Sequence, residues 1–107
     1  ASEVSAKIKF HSIPFLNGIS TLARNGNISG GTKRNLEYIS DFVDFSKQLN
    51  NTEKLMLSDA QTSGGLLVAL PQSKATEYAK QCTEATGFES KQIGILSSYR
   101  DKYIIVD

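Results

Sequence analysis

The sequence predicts an α/β (α+β) fold: a mixed sheet of about four strands with helices packed on it, in the order β-α-α-β-α-β-β, related to the ferredoxin-like sandwich. Three observations predict it. Val4, Ala6, Ile8 and Phe10 alternate with the polar Ser5, Lys7 and Lys9, which is the period of a half-buried strand. Leu66-Leu67-Val68-Ala69-Leu70 is an unbroken apolar run between a glycine pair and Pro71, the pattern of a central strand covered on both faces. Between and beyond these runs, apolar residues recur at helical spacing.

The first strand is expected over residues 3–12. Pro14 ends it and opens a helix with Phe15, Leu16, Ile19, Leu22 and Ala23 on one face. Asn25-Gly26 stops that helix, since both residue types tolerate a left-handed backbone. Residues 27–32 form a glycine-rich loop. A second helix is expected over about 33–48, with Leu36, Ile39, Phe42 and Val43 inward and Tyr38 as a further candidate. Residues 53–58 make a short helical turn leading into Asp59. The polar stretch Asp59–Ser63 then passes through Gly64-Gly65 into the apolar strand, which Pro71 stops. Ser73 is placed to cap a third helix carrying Ala75, Tyr78, Ala79 and Cys82 on one stripe, and Gly87 closes it. Residues 92–97 and 102–106 read as two closing strands joined by a turn at Tyr99-Arg100-Asp101.

Bulk properties narrow the function classes. A chain of 107 residues supports one modest core and not two. Its 39% hydrophobic content is spread along the length, which fits a globular chain. The 12 basic and 11 acidic residues are interspersed, so no charge block suggests nucleic acid or a membrane surface. The single cysteine excludes an internal disulfide and a Cys-rich zinc site, and fits a reducing, cytoplasmic setting. No apolar run approaches the roughly 20 residues that span a bilayer. No signal-peptide pattern opens the chain, so the triplets at Asn27 and Asn50 that match a glycosylation acceptor are read as chance. The start at Ala1, close to a strand, suggests a processed or truncated chain.

Two loops carry the residues with chemical potential. Gly30-Gly31-Thr32 precedes a helix, where free backbone N–H groups, the helix dipole and a hydroxyl can hold an anion, with Lys33 and Arg34 adding charge. Thr62-Ser63-Gly64-Gly65 offers two hydroxyls and two unobstructed backbone amides, a concavity that can cradle an oxyanion or phosphate. Glycine pairs more often serve positive φ or close packing. The row Asp59, Gln61, Thr62 and Ser63, however, holds more polar side chains than a turn requires. The four-residue gap between Gly26 and Gly31 is not a P-loop, because Thr32-Lys33 inverts the required order and follows a helix. His11 is the only histidine, so neither a triad nor a histidine metal cluster can be built. Cys82 reads as an inert core thiol. Asp41 and Asp44, one helical turn apart, read as a solvated face with Lys47 as ion-pair partner. Residues alone therefore define an α/β domain with two anion loops and no catalytic constellation.

Gly30-Gly31-Thr32-Lys33-Arg34-Asn35-Leu36 resembles the Gly-Gly-Thr-x-x-Asn segment of the selenophosphate synthetases (selenide, water dikinases). Leu57-Ser58-Asp59-Ala60-Gln61-Thr62-Ser63-Gly64-Gly65-Leu66-Leu67 is similar to their Asp-Pro-Gln-Thr-Ser-Gly-Gly-Leu-Leu stretch, and Ile13-Pro14-Phe15-Leu16 to the segment before the first loop. Two positions depart from the pattern. Ala60 stands where the family usually has proline, and Ser29 where a proline often precedes the glycines; both changes cost backbone rigidity rather than a reacting group.

The resemblance implies that residues 1–107 are the carboxy-terminal domain of an aminoimidazole-ribonucleotide-synthetase-like enzyme whose amino-terminal ATP-binding domain is absent. It implies a parent that makes selenophosphate, AMP and phosphate from selenide, ATP and water, using magnesium. The catalytic residues, the metal ligands and most of the homodimer contact then belong to the absent domain, so the isolated domain has no cofactor of its own and is inactive. Its share is to wall the cleft through Thr32, Asn35, Gln61, Thr62, Ser63, Gly64 and Gly65. The alternatives are a stand-alone ferredoxin-like small-molecule-binding or interaction module, or the equivalent domain of another superfamily member, such as a thiamine-monophosphate kinase or a hydrogenase-maturation protein.

Overall fold

A computed structural model describes residues 3–107. Strand β1 (Val4–Ile8) runs into a single 3-10 turn (Phe10–Ser12) and is followed by helices α1 (Ile19–Arg24) and α2 (Gly30–Ile39). Strand β2 (Val43–Phe45), helix α3 (Asn51–Leu57) and helix α4 (Gln72–Thr86) come next, and β3 (Gly94–Ser98) and β4 (Ile104–Val106) end the chain. The four strands form one mixed sheet in the order β2-β4-β1-β3, with β1·β3 antiparallel and the β1·β4 and β2·β4 pairs parallel. The expected α+β class and four-stranded mixed sheet are thus present.

The element order differs from expectation at two places, giving β-α-α-β-α-α-β-β. The helix expected over 33–48 ends at Ile39, and Val43-Asp44-Phe45 forms a strand paired in register with Ile104, Ile105 and Val106. Helical periodicity over 36–43 loses here to pairing with an open edge of β4, where a β-branched and an aromatic residue suit the pleat. Asp41 and Asp44 therefore do not share a helix face. The other difference is the run Leu66–Leu70, which is neither a strand nor buried: Leu66 and Leu67 are 87% and 74% exposed. A strand apolar on both faces needs a layer on each side, and the described residues supply neither.

Smaller shifts have local causes. The first strand is shorter than residues 3–12 because the chain tightens into the 3-10 turn at Phe10. Pro14 precedes α1 without opening it; the helix starts after Gly18, which holds a left-handed backbone (φ 87°). Helix α4 starts at Gln72 after Pro71 rather than at a Ser73 cap, and Gly87 (φ 73°) ends it as expected. The strands expected over 92–97 and 102–106 form within a residue or two, but β1 lies between them, so they do not make a hairpin. A capping box starts α3, with the Asn50 side chain taking the Glu53 N–H and Glu53 returning to the Asn50 N–H.

The core lies where β2 and β4 meet the 3-10 turn, α2 and α3. Phe10, Val43, Leu49 and Val106 are buried, and Phe15, Ile39, Phe45, Met56 and Leu57 pack around them. The Phe10 and Phe15 rings sit 5.3 Å apart in a tilted pair. In β1 the alternation places Ser5 with the polar residues, yet it is 1% exposed. Its hydroxyl donates to the Lys102 carbonyl at 2.6 Å and accepts the Arg100 N–H at 2.8 Å, fastening the turn between β3 and β4 to β1. Ser5→Ala takes the side-chain partner from the Lys102 carbonyl and the Arg100 N–H and is expected to cost about 1 kcal/mol, measured as a lower midpoint in urea unfolding.

Candidate functional site

The Gly30-Gly31 pair does not form a loop; it is the first turn of α2. Ser29 caps that helix, its hydroxyl accepting the Thr32 N–H at 3.1 Å, so one of the free amides that an anion would need is already used. Thr32 follows at the third helical position and is buried, 1% exposed. Its Oγ1 donates to Asp59 Oδ1 at 3.0 Å and accepts the Ala60 N–H at 3.1 Å. Ser29 Oγ lies 3.0 Å away as well. A threonine hydroxyl has one proton and two lone pairs, and Asp59 takes the proton. The Ser29 hydroxyl must then donate to Thr32, which fills the capacity of that oxygen.

This knot joins the start of α2 to the segment after α3. One turn further along α2, Asn35 Nδ2 donates to the Ser58 carbonyl at 3.1 Å. Ser58 is buried and its hydroxyl donates to the Lys54 carbonyl at 2.9 Å, closing the end of α3. Gly31 eases the approach: a Cβ there would stand 3.0 Å from the Ala60 Cβ, a tight contact. The two segments flagged by the sequence, more than twenty residues apart, are therefore one place in the structure. Ser29 and Ala60, the two positions that depart from the family pattern, both reach Thr32. They do so through a hydroxyl and an N–H that proline does not have.

Beyond the knot the chain opens. Gln61, Thr62, Ser63, Gly64 and Gly65 are all exposed. Gln61 Nε2 donates to Asp59 Oδ2 at 3.3 Å, and a Cβ on Gly64 would lie 2.9 Å from Gln61 Oε1, so the glutamine amide rests between Asp59 and Gly64. Nothing lies within 4 Å of a Cβ placed on Gly65, which leaves its backbone open to a ligand. The seven expected cleft residues thus fall into two groups. Thr32 is buried with its hydroxyl fully used, and Asn35, though exposed, gives its Nδ2 to an internal bond, while Gln61–Gly65 face solvent. Sequence reasoning passed over Asp59 and Ser29 as members of the knot. The signal for Ser29 was available as a serine three residues ahead of a threonine at a helix start.

Other candidates lie apart. A cavity of about 290 Å³ opens between α1 and the start of α3, bordered by Arg24, Asn50 and Met56, away from the knot. His11 is exposed, its ring edge against Phe10 at 5.3 Å. Cys82 is half-buried on the expected stripe of α4 with Ala75 and Ala79. The neighbouring Cys82 side chain holds the Tyr78 phenol above its ordinary pKa. Among the described residues, no three His, Cys, Asp or Glu side chains gather closely enough to hold a metal ion. No helix among them is long and apolar enough to cross a membrane.

An α+β domain with two glycine segments tied by one buried hydroxyl is the class that fold and site define. The chain matches one domain of selenophosphate synthetase, the enzyme also called selenide, water dikinase. It is 32% identical over 106 residues to the selenide, water dikinase of Aliarcobacter butzleri, covering 99% of this chain and 31% of that protein. With that of Carboxydothermus hydrogenoformans it shares 36% over 103 residues, covering 96% and 30%. With that of Clostridioides difficile it shares 34% over 106 residues, covering 99% and 30%. The chain thus spans about 30% of the length of the curated relatives it matches. No family model matches it.

The knot has a measurable energetic consequence. Thr32→Val keeps the shape but leaves the Ala60 N–H and the Asp59 carboxylate without their partner, and is expected to cost about 1–3 kcal/mol in urea unfolding. Thr32→Ser is expected to recover most of that loss.

Proposed function

We propose that this chain works as part of a selenide, water dikinase that makes selenophosphate, AMP and phosphate from selenide, ATP and water. In this reading it forms a wall of the active-site cleft in the cytoplasm. The observation that carries the reading is the junction of the two motif segments at Thr32 in a chain matched along nearly its whole length by such enzymes. A stand-alone module is disfavoured by Leu66–Leu70, since a self-contained domain of this size rarely leaves five consecutive apolar residues in water. That run, the exposed Ile95 and Leu96 of β3 and the open face of α4 fit a piece packed against more protein. The partner is the parent's amino-terminal domain, and the parent is a homodimer.

The chain's own residues suit contact with phosphate oxygens. Thr62 and Ser63 supply hydroxyl donors, Gly64 and Gly65 backbone N–H groups, with Gly65 the more open, and Gln61 an amide N–H beyond the one given to Asp59. These donors would bind and orient a transferred phosphoryl group, and the wall they form would keep bulk water from activated intermediates. ATP bound there supplies the phosphoryl group. The residues here do not fit a magnesium site, because the described acidic side chains do not gather into a ligand set. The metal is assigned to the amino-terminal domain.

In the full-length enzyme, Gln61→Ala and Thr62→Ala are each expected to lower selenophosphate formation by about tenfold or more, while the chain stays folded. Unchanged output from both, in an active wild type, removes this loop from the cleft. The isolated 107-residue chain is expected to form no selenophosphate from selenide and ATP.

A further inference from the structure

We propose that Asp59 is a positioning residue for the reaction: one carboxylate oxygen is anchored by the buried Thr32 hydroxyl, and the other holds the Gln61 amide in place. The inference rests on the function proposed above and adds to it a residue and a chain of action. Three observations carry it. Asp59 Oδ1 accepts from Thr32 Oγ1 at 3.0 Å, and Oδ2 accepts from Gln61 Nε2 at 3.3 Å, so the two oxygens face two different segments. Thr32 cannot turn away, because its oxygen also serves the Ser29 hydroxyl and the Ala60 N–H and its side chain is enclosed. The Gln61 Oε1 lies beside Gly64, 2.9 Å from where a Cβ on that residue would stand, so the glycine leaves room for the amide in this orientation.

The proton order follows from the acceptor at its end. A carboxylate only accepts, so Thr32 gives it its proton and Gln61 must turn its NH2 towards it. That leaves Gln61 Oε1 over Gly64 and one amide N–H free to face a ligand. Without Asp59, the exposed Gln61 side chain is free to rotate, and a donor aimed at a phosphate oxygen becomes one that must be ordered at each turnover. Asp59 therefore touches no substrate and acts through Gln61. Because Asp59 is itself exposed, its removal leaves the apolar core in place, but it takes the acceptor from the buried Thr32 hydroxyl and is expected to lower the unfolding midpoint.

The test is a double-mutant cycle in the full-length enzyme, with selenophosphate formation followed at varied ATP and the folded state followed by thermal unfolding. Asp59→Ala is expected to lower kcat/KM for ATP about tenfold in the wild-type background, and by less than about twofold in a Gln61→Ala background. Thr32→Val is expected to reproduce the Asp59→Ala loss after correction for the folded fraction, and Thr32→Ser to stay within about twofold of wild type. A purely structural role would instead give a rate loss that vanishes after correction for the folded fraction, or one that multiplies with Gln61→Ala. Equal factors in both backgrounds, or an Asp59→Ala enzyme at the wild-type rate, overturn the inference while the function stands. A wild-type enzyme that makes no selenophosphate overturns both.

Discussion

The hydroxyl of Thr32 sits where two stretches of chain with no sequence proximity must meet, and the candidate site follows from how it is satisfied. A buried hydroxyl left short of partners costs about 1–3 kcal/mol, so the oxygen cannot be indifferent to its surroundings. Here it has three partners: the Ser29 hydroxyl, the Asp59 carboxylate and the Ala60 N–H. One side of the bond set belongs to the first turn of α2 and the other to the segment leaving α3. Fixing both leaves Gln61–Gly65 projecting from an anchored base rather than from a free loop. Helix α3 carries that base, capped at one end by Asn50 and Glu53 and packed against α1 and α2.

Much of this was legible in the sequence because the signals were local. The glycines and asparagines that end helices, the period-2 run at β1 and the stripe on α4 each depend on residues within a turn or two. The two motif segments were visible for the same reason. Their meeting was not, since nothing in a one-dimensional pattern states which hydroxyl a helix start will share with a loop more than twenty residues on. Ser5 shows the same limit: its place in the alternation assigned it outward, and two backbone partners in the turn at Arg100–Lys102 drew it in. The helix expected through Val43 failed because a strand edge at β4 offered hydrogen bonds that a helical continuation could not match.

Leu66–Leu70 is the most informative departure. The run has the composition of a doubly covered strand, and the described residues leave it in water, as they leave Ile95 and Leu96 of β3 exposed and α4 without a fully buried residue. Composition therefore reports a packed environment that these residues do not themselves provide. The relatives extend well beyond the matched segment, which is where the proposed function places the missing surface. The knot at Thr32, by contrast, closes entirely within this chain. The two ends of the Gln61–Leu70 segment therefore differ: its start is tied by internal hydrogen bonds, and its apolar end finds no cover among the described residues.

The central claim is that Thr32 holds the Ala60 amide and so anchors the loop. Amide hydrogen exchange on the full-length protein tests it most directly. The Ala60 N–H should exchange at least about tenfold more slowly than those of Ser63 and Gly65, and lose that protection in Thr32→Val. An Ala60 amide that exchanges as fast as Ser63 and Gly65 in the wild type would contradict the account.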